Sequence, residues 1–100
     1  MKKLFDKIFE FHRAIHLGLV HDVMEVEHPD GQKEWLKHRL HHREDGPAII
    51  RSDGTREYYK FGVLHRTDGP AFERLNGDRY WYLNGKEYTL DAFLKEVRGF

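Results

Sequence analysis

His42-Arg43-Glu44-Asp45-Gly46-Pro47-Ala48 returns 23 residues later as His65-Arg66-Thr67-Asp68-Gly69-Pro70-Ala71. Outward from this pair, the same step of 23 connects Asp30-Gly31, Asp53-Gly54 and Asn76-Gly77, and also Trp35, Tyr58 and Trp81. Gly62 and Gly85 keep the step as well. Turn residues and aromatics held in register over such distances define a structural repeat. Each copy is one supersecondary unit that buries its apolar surface only against its neighbours.

Each unit reads as a β-hairpin. Asp-Gly and Asn-Gly supply the positive φ angles of a two-residue turn. The flanks Ala48-Ile49-Ile50-Arg51-Ser52 and Thr55-Arg56-Glu57-Tyr58-Tyr59-Lys60 are β-prone. Phe61-Gly62 and Asn84-Gly85 mark second turns. In Asp-Gly-Pro the carboxylate holds the turn and the proline fixes φ where the next strand begins.

A two-residue turn at Asp53-Gly54 opposes Arg51 with Arg56 and Ile49 with Tyr58. The same register opposes Val26 with Trp35, Phe72 with Trp81, His28 with Lys33, and Arg74 with Arg79. It therefore predicts three large apolar pairs on one face and, nearer the turns, a basic ladder of His28, Lys33, Arg51, Arg56, Arg74 and Arg79. Like charges directly opposed cost stability. A ladder kept in three units admits two readings: solvated tips with diagonal acidic partners, or a partner-binding role that grips carboxylates or phosphates.

The ends depart from the period. Residues 2–17 place Leu4, Phe5, Ile8, Phe9, His12 and Ile15 on one helical face, and Gly18 is the expected stop. Tyr88-Thr89-Leu90-Asp91-Ala92-Phe93 stands where a third His-Arg-x-Asp-Gly-Pro is due. It predicts a short helix with Thr89 as N-cap, Tyr88 and Phe93 as a hydrophobic staple, and Gly99 past the C-terminus. The expected architecture is α+β in one domain over residues 1–100. It comprises an N-terminal amphipathic helix (1–18), a meandering antiparallel β-hairpin repeat sheet (19–88) and a C-terminal capping helix (89–98).

Composition narrows the function classes. Aromatics at 14% are too many for a disordered chain. A formal net charge of zero speaks against a general nucleic-acid binder and against a polyanionic DNA mimic. No apolar run approaches the roughly 18 residues of a membrane span. The interrupted, basic start lacks the pattern of a signal peptide, so the expected location is cytoplasmic. Zero cysteines exclude a disulfide scaffold, a thiolate zinc site and a thiol nucleophile. His12 and His16 have chelating spacing on a helix, but no third ligand follows. His42 and His65 recur with the period and are expected to bond to Asp45 and Asp68 or to turn backbone. No Ser-His-Asp set, phosphate loop or carboxylate pair is recognisable, so neither enzyme nor cofactor is expected.

Between residues 28 and 88 the pattern resembles MORN repeats, whose period is the same. Trp81-Tyr82-Leu83-Asn84-Gly85-Lys86 matches their aromatic strand and Gly-Lys turn, and Gly62, His65, Gly69 and Gly77 match one unit earlier. The His-Arg-x-Asp-Gly-Pro-Ala variant is similar to that of small phage and bacterial repeat proteins and of MORN-variant antitoxins. His-Arg-x-Asp-Gly replaces the usual His-Gly-x-Gly, so a lipid-binding role is not carried over. The resemblance implies a non-enzymatic binding scaffold: a phage-encoded stoichiometric inhibitor of a host protein, such as a CRISPR-type defence effector. The alternatives are an antitoxin neutralising a cognate toxin and, in another class, a histidine-dependent metal enzyme or nuclease fragment. The expected partner is a protein with an acidic or phosphate-bearing surface, without membrane or direct nucleic-acid contact. The chain itself is expected as a monomer or an edge-paired homodimer.

Overall fold

The computed structural model describes residues 23–99. The helix expected over residues 2–17, with His12 and His16, lies outside them.

Among the described residues ten short strands follow the repeat: β1 (Val23–Glu27), β2 (Lys33–Lys37), β3 (Leu40–His41), β4 (Ile49–Ile50), β5 (Arg56–Glu57), β6 (Tyr59–Lys60), β7 (Val63–Leu64), β8 (Phe72–Glu73), β9 (Arg79–Leu83) and β10 (Lys86–Tyr88). They form a meandering sheet in the order β1-β2-β4-β5-β8-β9-β10, with β3 folded back on β2 and β6–β7 as a separate hairpin. Every pairing is antiparallel. Among the described residues no helix is long and apolar enough to cross a membrane.

The first turns correct the expected register. Arg51 N–H donates to Thr55 O at 2.8 Å, so the loop holds three residues, Ser52-Asp53-Gly54. Only its glycine has positive φ, +90°, whereas a two-residue hairpin turn of the Asn-Gly kind needs positive φ at both positions. The Asp53 side chain instead accepts the Thr55 N–H at 2.9 Å, and Asp30 and Asn76 do the same for Gln32 and Asp78. These are turns followed by a glycine bulge. The second turns are true two-residue turns, with φ of 48° and 86° at Phe61-Gly62 and 51° and 82° at Asn84-Gly85. In the first unit His38 and Arg39 take the same angles, 51° and 68°, without a glycine.

One added residue turns the second strand of each hairpin over. Val26, Glu34, Ile49, Glu57, Phe72 and Tyr80 are successive cross-strand partners and form one row on the front face. Glu27, Lys33, Ile50, Arg56, Glu73 and Arg79 form the matching row on the back face. The expected pairs Val26/Trp35, Ile49/Tyr58 and Phe72/Trp81 are therefore not opposed, and apolar burial is divided between the two faces. Val26 and Ile49 are buried in front, while Trp35 is buried on the back.

The last unit ends in α1 (Leu90–Arg98), and the expected caps are found. Thr89 Oγ1 accepts the Ala92 N–H at 3.2 Å, and Gly99 at φ 75° donates its N–H to Lys95 O at 2.8 Å. Asp91 in the first turn and Lys95 and Arg98 in the last complement the helix dipole. Phe93 is buried.

Candidate protein-interaction surface

The recurring motif builds the same device twice. Arg43 lays its guanidinium 3.8 Å from the Trp35 ring centroid, and Arg66 lies 3.9 Å from that of Tyr58. Arg43 Nε donates to Asp45 at 3.0 Å and Nη1 to Pro47 O at 3.2 Å. Arg66 repeats both bonds with Asp68 at 2.9 Å and Pro70 O at 3.0 Å. A Cβ on Gly46 or Gly69 would come within 3.0 or 2.9 Å of the guanidinium carbon. The glycine is there to leave the arginine room, and the fully buried Ala48 and Ala71 return the chain to the sheet.

The histidines tie units together. His42 Nδ1 accepts the Phe61 N–H at 3.0 Å, and His65 Nδ1 accepts the Asn84 N–H at 2.9 Å. Each thus holds the second turn of the following unit, in keeping with the turn-backbone role expected of them. Glu44 Oε2 lies 2.5 Å from His42 Nε2, at an angle outside hydrogen-bond geometry. The Lys60 ammonium, with His42 beside it, holds the Glu44 carboxyl below the usual carboxylate range.

A cleft of about 390 Å³ separates the two motif loops, lined by Arg43, Asp45, Lys60, His65, Arg66 and Asp68 among others. Its charges are matched internally: Arg43 with Asp45, Arg66 with Asp68, Lys60 with Glu44. Such a cleft has little charge left to offer a ligand. Among the described residues no group of three His, Asp or Glu side chains is placed to hold a metal ion.

The expected basic ladder is divided between the two faces, and His28, Arg51, Arg74 and Arg79 lie beside carboxylates. His28, Arg51 and Arg74 extend the front face, whereas Lys33, Arg56 and Arg79 belong to the back row. Arg51 bonds to Glu57, which is only 3% exposed and also accepts from Tyr59 OH at 2.8 Å. One period earlier Glu34 bonds to His28, and to His41 at 2.7 Å. Burial raises the Glu34 carboxyl, but the bonds to His41 and His28 outweigh it and hold it below its ordinary value. Arg74 lies 3.4 Å from Asp78, and Arg79 Nε lies 4.0 Å from Glu73. Among the described residues no like-charged pair is forced together by the turns, so the hairpins carry no repulsion for a partner to relieve.

The sequence reading missed an apolar edge. Leu40, Phe61 and Val63 are 45%, 55% and 44% exposed along the second turns. They are continuous: the Leu40 side chain covers Gly62 at 3.2 Å from an ideal Cβ, and Val63 covers Gly85 at 3.7 Å. Lys37 reaches over the Phe61 ring at 5.5 Å, and Lys60 and Lys86 are the cross-strand partners of Val63 and Leu83 beside it. A signal was present in the sequence. Leu40 and Val63 are one period apart, and Phe61 puts a large apolar ring where the next unit has Asn84.

The chain matches no protein-family model, no curated protein and no solved structure.

Proposed function

We propose that the chain is a small non-enzymatic binding module that docks a protein partner on the Leu40–Phe61–Val63 edge. The observation that carries this reading is the continuous exposure of three large apolar side chains at turns, where polar residues normally stand. Their surround is basic, with Lys37, Arg39 and Lys86, so the matching partner surface carries an apolar pocket rimmed by carboxylates or phosphates. Stoichiometric inhibition of a larger host protein, with the chain encoded by a phage, is the role the MORN-like resemblance supports. Neutralisation of a toxin uses the same surface chemistry.

The test is site-specific photo-crosslinking in the natural host. A benzophenone amino acid at position 61 should capture a protein that one at position 96 does not. The captured protein, purified separately, should bind at one-to-one stoichiometry and lose at least tenfold in affinity to L40E/V63E. Unchanged affinity in that variant would remove the edge from the reading. Absence of any stoichiometric complex would remove the binding module itself.

A further inference from the structure

In the first two units the strand after the aromatic turn region has a neighbour on its outer side. Lys33 and Glu34 pair with Ile50 and Ile49, and Arg56 and Glu57 pair with Glu73 and Phe72. The incoming segment also supplies Arg43 or Arg66 to cover Trp35 or Tyr58, and its Ala48 or Ala71 carbonyl accepts the aromatic residue's N–H at 2.8 or 2.7 Å.

The third unit keeps the strand edge and the ring of this arrangement, while the Trp81 main chain is already paired with Tyr88 of β10. Arg79, Tyr80 and Trp81 occupy the same period positions, but Thr89 stands where the arginine is due. Lys95 and Glu96, which would form the incoming strand, are in α1. β9 pairs with β8 and, over Trp81–Leu83, with β10. Among the described residues no strand pairs with the outer side of Arg79 and Tyr80, and no cation lies over Trp81. A cavity of about 420 Å³ opens there, lined by Arg79, Tyr80, Trp81, Glu87, Tyr88 and Thr89. The basic residue beside the ring is no obstacle, because Lys33 and Arg56 hold that place in the two filled units.

We propose that the Arg79–Tyr80 edge and the Trp81 ring form a docking site for an extended, arginine-bearing segment of a partner protein. The segment adds an antiparallel strand to β9 while its guanidinium covers Trp81. Main-chain pairing gives the affinity, and the arginine gives the register. This site lies apart from the Leu40–Phe61–Val63 edge and stands or falls independently of it.

The probe is a synthetic peptide with the sequence of residues 65–74, the segment that fills the equivalent site on Tyr58. The full chain carrying W35F leaves Trp81 as its one tryptophan, so fluorescence and the indole N–H resonance both report the site. The expected result is a saturable change with the parent peptide. Replacing the first arginine of the peptide with citrulline should weaken binding roughly fivefold or more, in line with a stacked cation at a partly exposed ring. N-methylation of the peptide backbone in its strand half should abolish it. Absence of a saturable change up to millimolar peptide overturns the proposal, as does parent-like binding by either modified peptide. A Trp81 signal that is concentration-dependent without peptide, or that changes with R13Q alone, overturns it in favour of a second copy or the chain's own arginine as occupant.

Discussion

The Arg66 guanidinium lies 3.9 Å from the Tyr58 ring centroid, and it fits there because Gly69 has no side chain. R66A should lose about 1–3 kcal/mol, combining a stacked cation with two side-chain hydrogen bonds. G69A should lose about 1–2 kcal/mol by displacing the same guanidinium. In the R66A background the added methyl meets nothing it must displace. The double variant should therefore be at least about 1 kcal/mol more stable than the sum of the single losses predicts. Urea unfolding of the four proteins measures this coupling, and strict additivity would show that the glycine serves some other purpose.

Arg51 and Arg56 should behave differently, although an opposed pair would make them equivalent. R51M removes the cation bonded to the buried Glu57 and should cost about 1–3 kcal/mol, reduced from the fully buried case because Arg51 is itself exposed. R56Q alters an exposed position and should change stability by less than about 0.5 kcal/mol. Stabilisation by both substitutions would restore the repulsive ladder.

Burial, with the hydrogen bond to Glu57 behind it, raises the Tyr59 hydroxyl from 10.0 to about 12. The folded chain thus keeps this proton at a pH where the unfolded chain has released it. Stability is fully present below about pH 10 and is lost as pH rises towards 12. Thermal melts between pH 9 and 11 should show a fall that Y59F reduces, and absorbance near 295 nm should show a late-ionising tyrosine component that Y59F removes. Identical slopes for wild type and Y59F would rule out this linkage.

Arg39 adopts φ 68° where the later units have Gly62 and Gly85. Left-handed backbone costs a residue with a Cβ about 1–2 kcal/mol, offset in part by the entropy glycine loses on folding. R39G should stabilise the protein by about 0.5–1 kcal/mol, seen as a higher melting temperature. R39V should lower it.

The period, the positions of both families of turn, and the C-terminal helix with its Thr89 and Gly99 caps were legible because each rests on local backbone chemistry. The register was not. Asp53-Gly54 suits either a two-residue turn or a three-residue turn with a bulge, and the choice rests on whether the Asp53 carboxylate accepts the Thr55 N–H. That one bond decides which face Arg56, Glu57 and Tyr58 occupy. The role of Arg43 and Arg66 was hidden for another reason, since their rings belong to residues well before them in the chain. Yet Trp35–Arg43 and Tyr58–Arg66 share a separation of eight residues, and Trp81–Thr89 breaks the match at the same distance.

The two filled loops carry Gly46-Pro47 and Gly69-Pro70, and the third position carries Ala92-Phe93 inside α1. Glycine and proline are the poorest helix formers, and alanine is the best. A change of two residues therefore acts as a stop codon for the sheet, written in backbone propensity. Where Gly-Pro forbids a helix, the chain returns to add another strand. Where Ala-Phe permits one, growth ends.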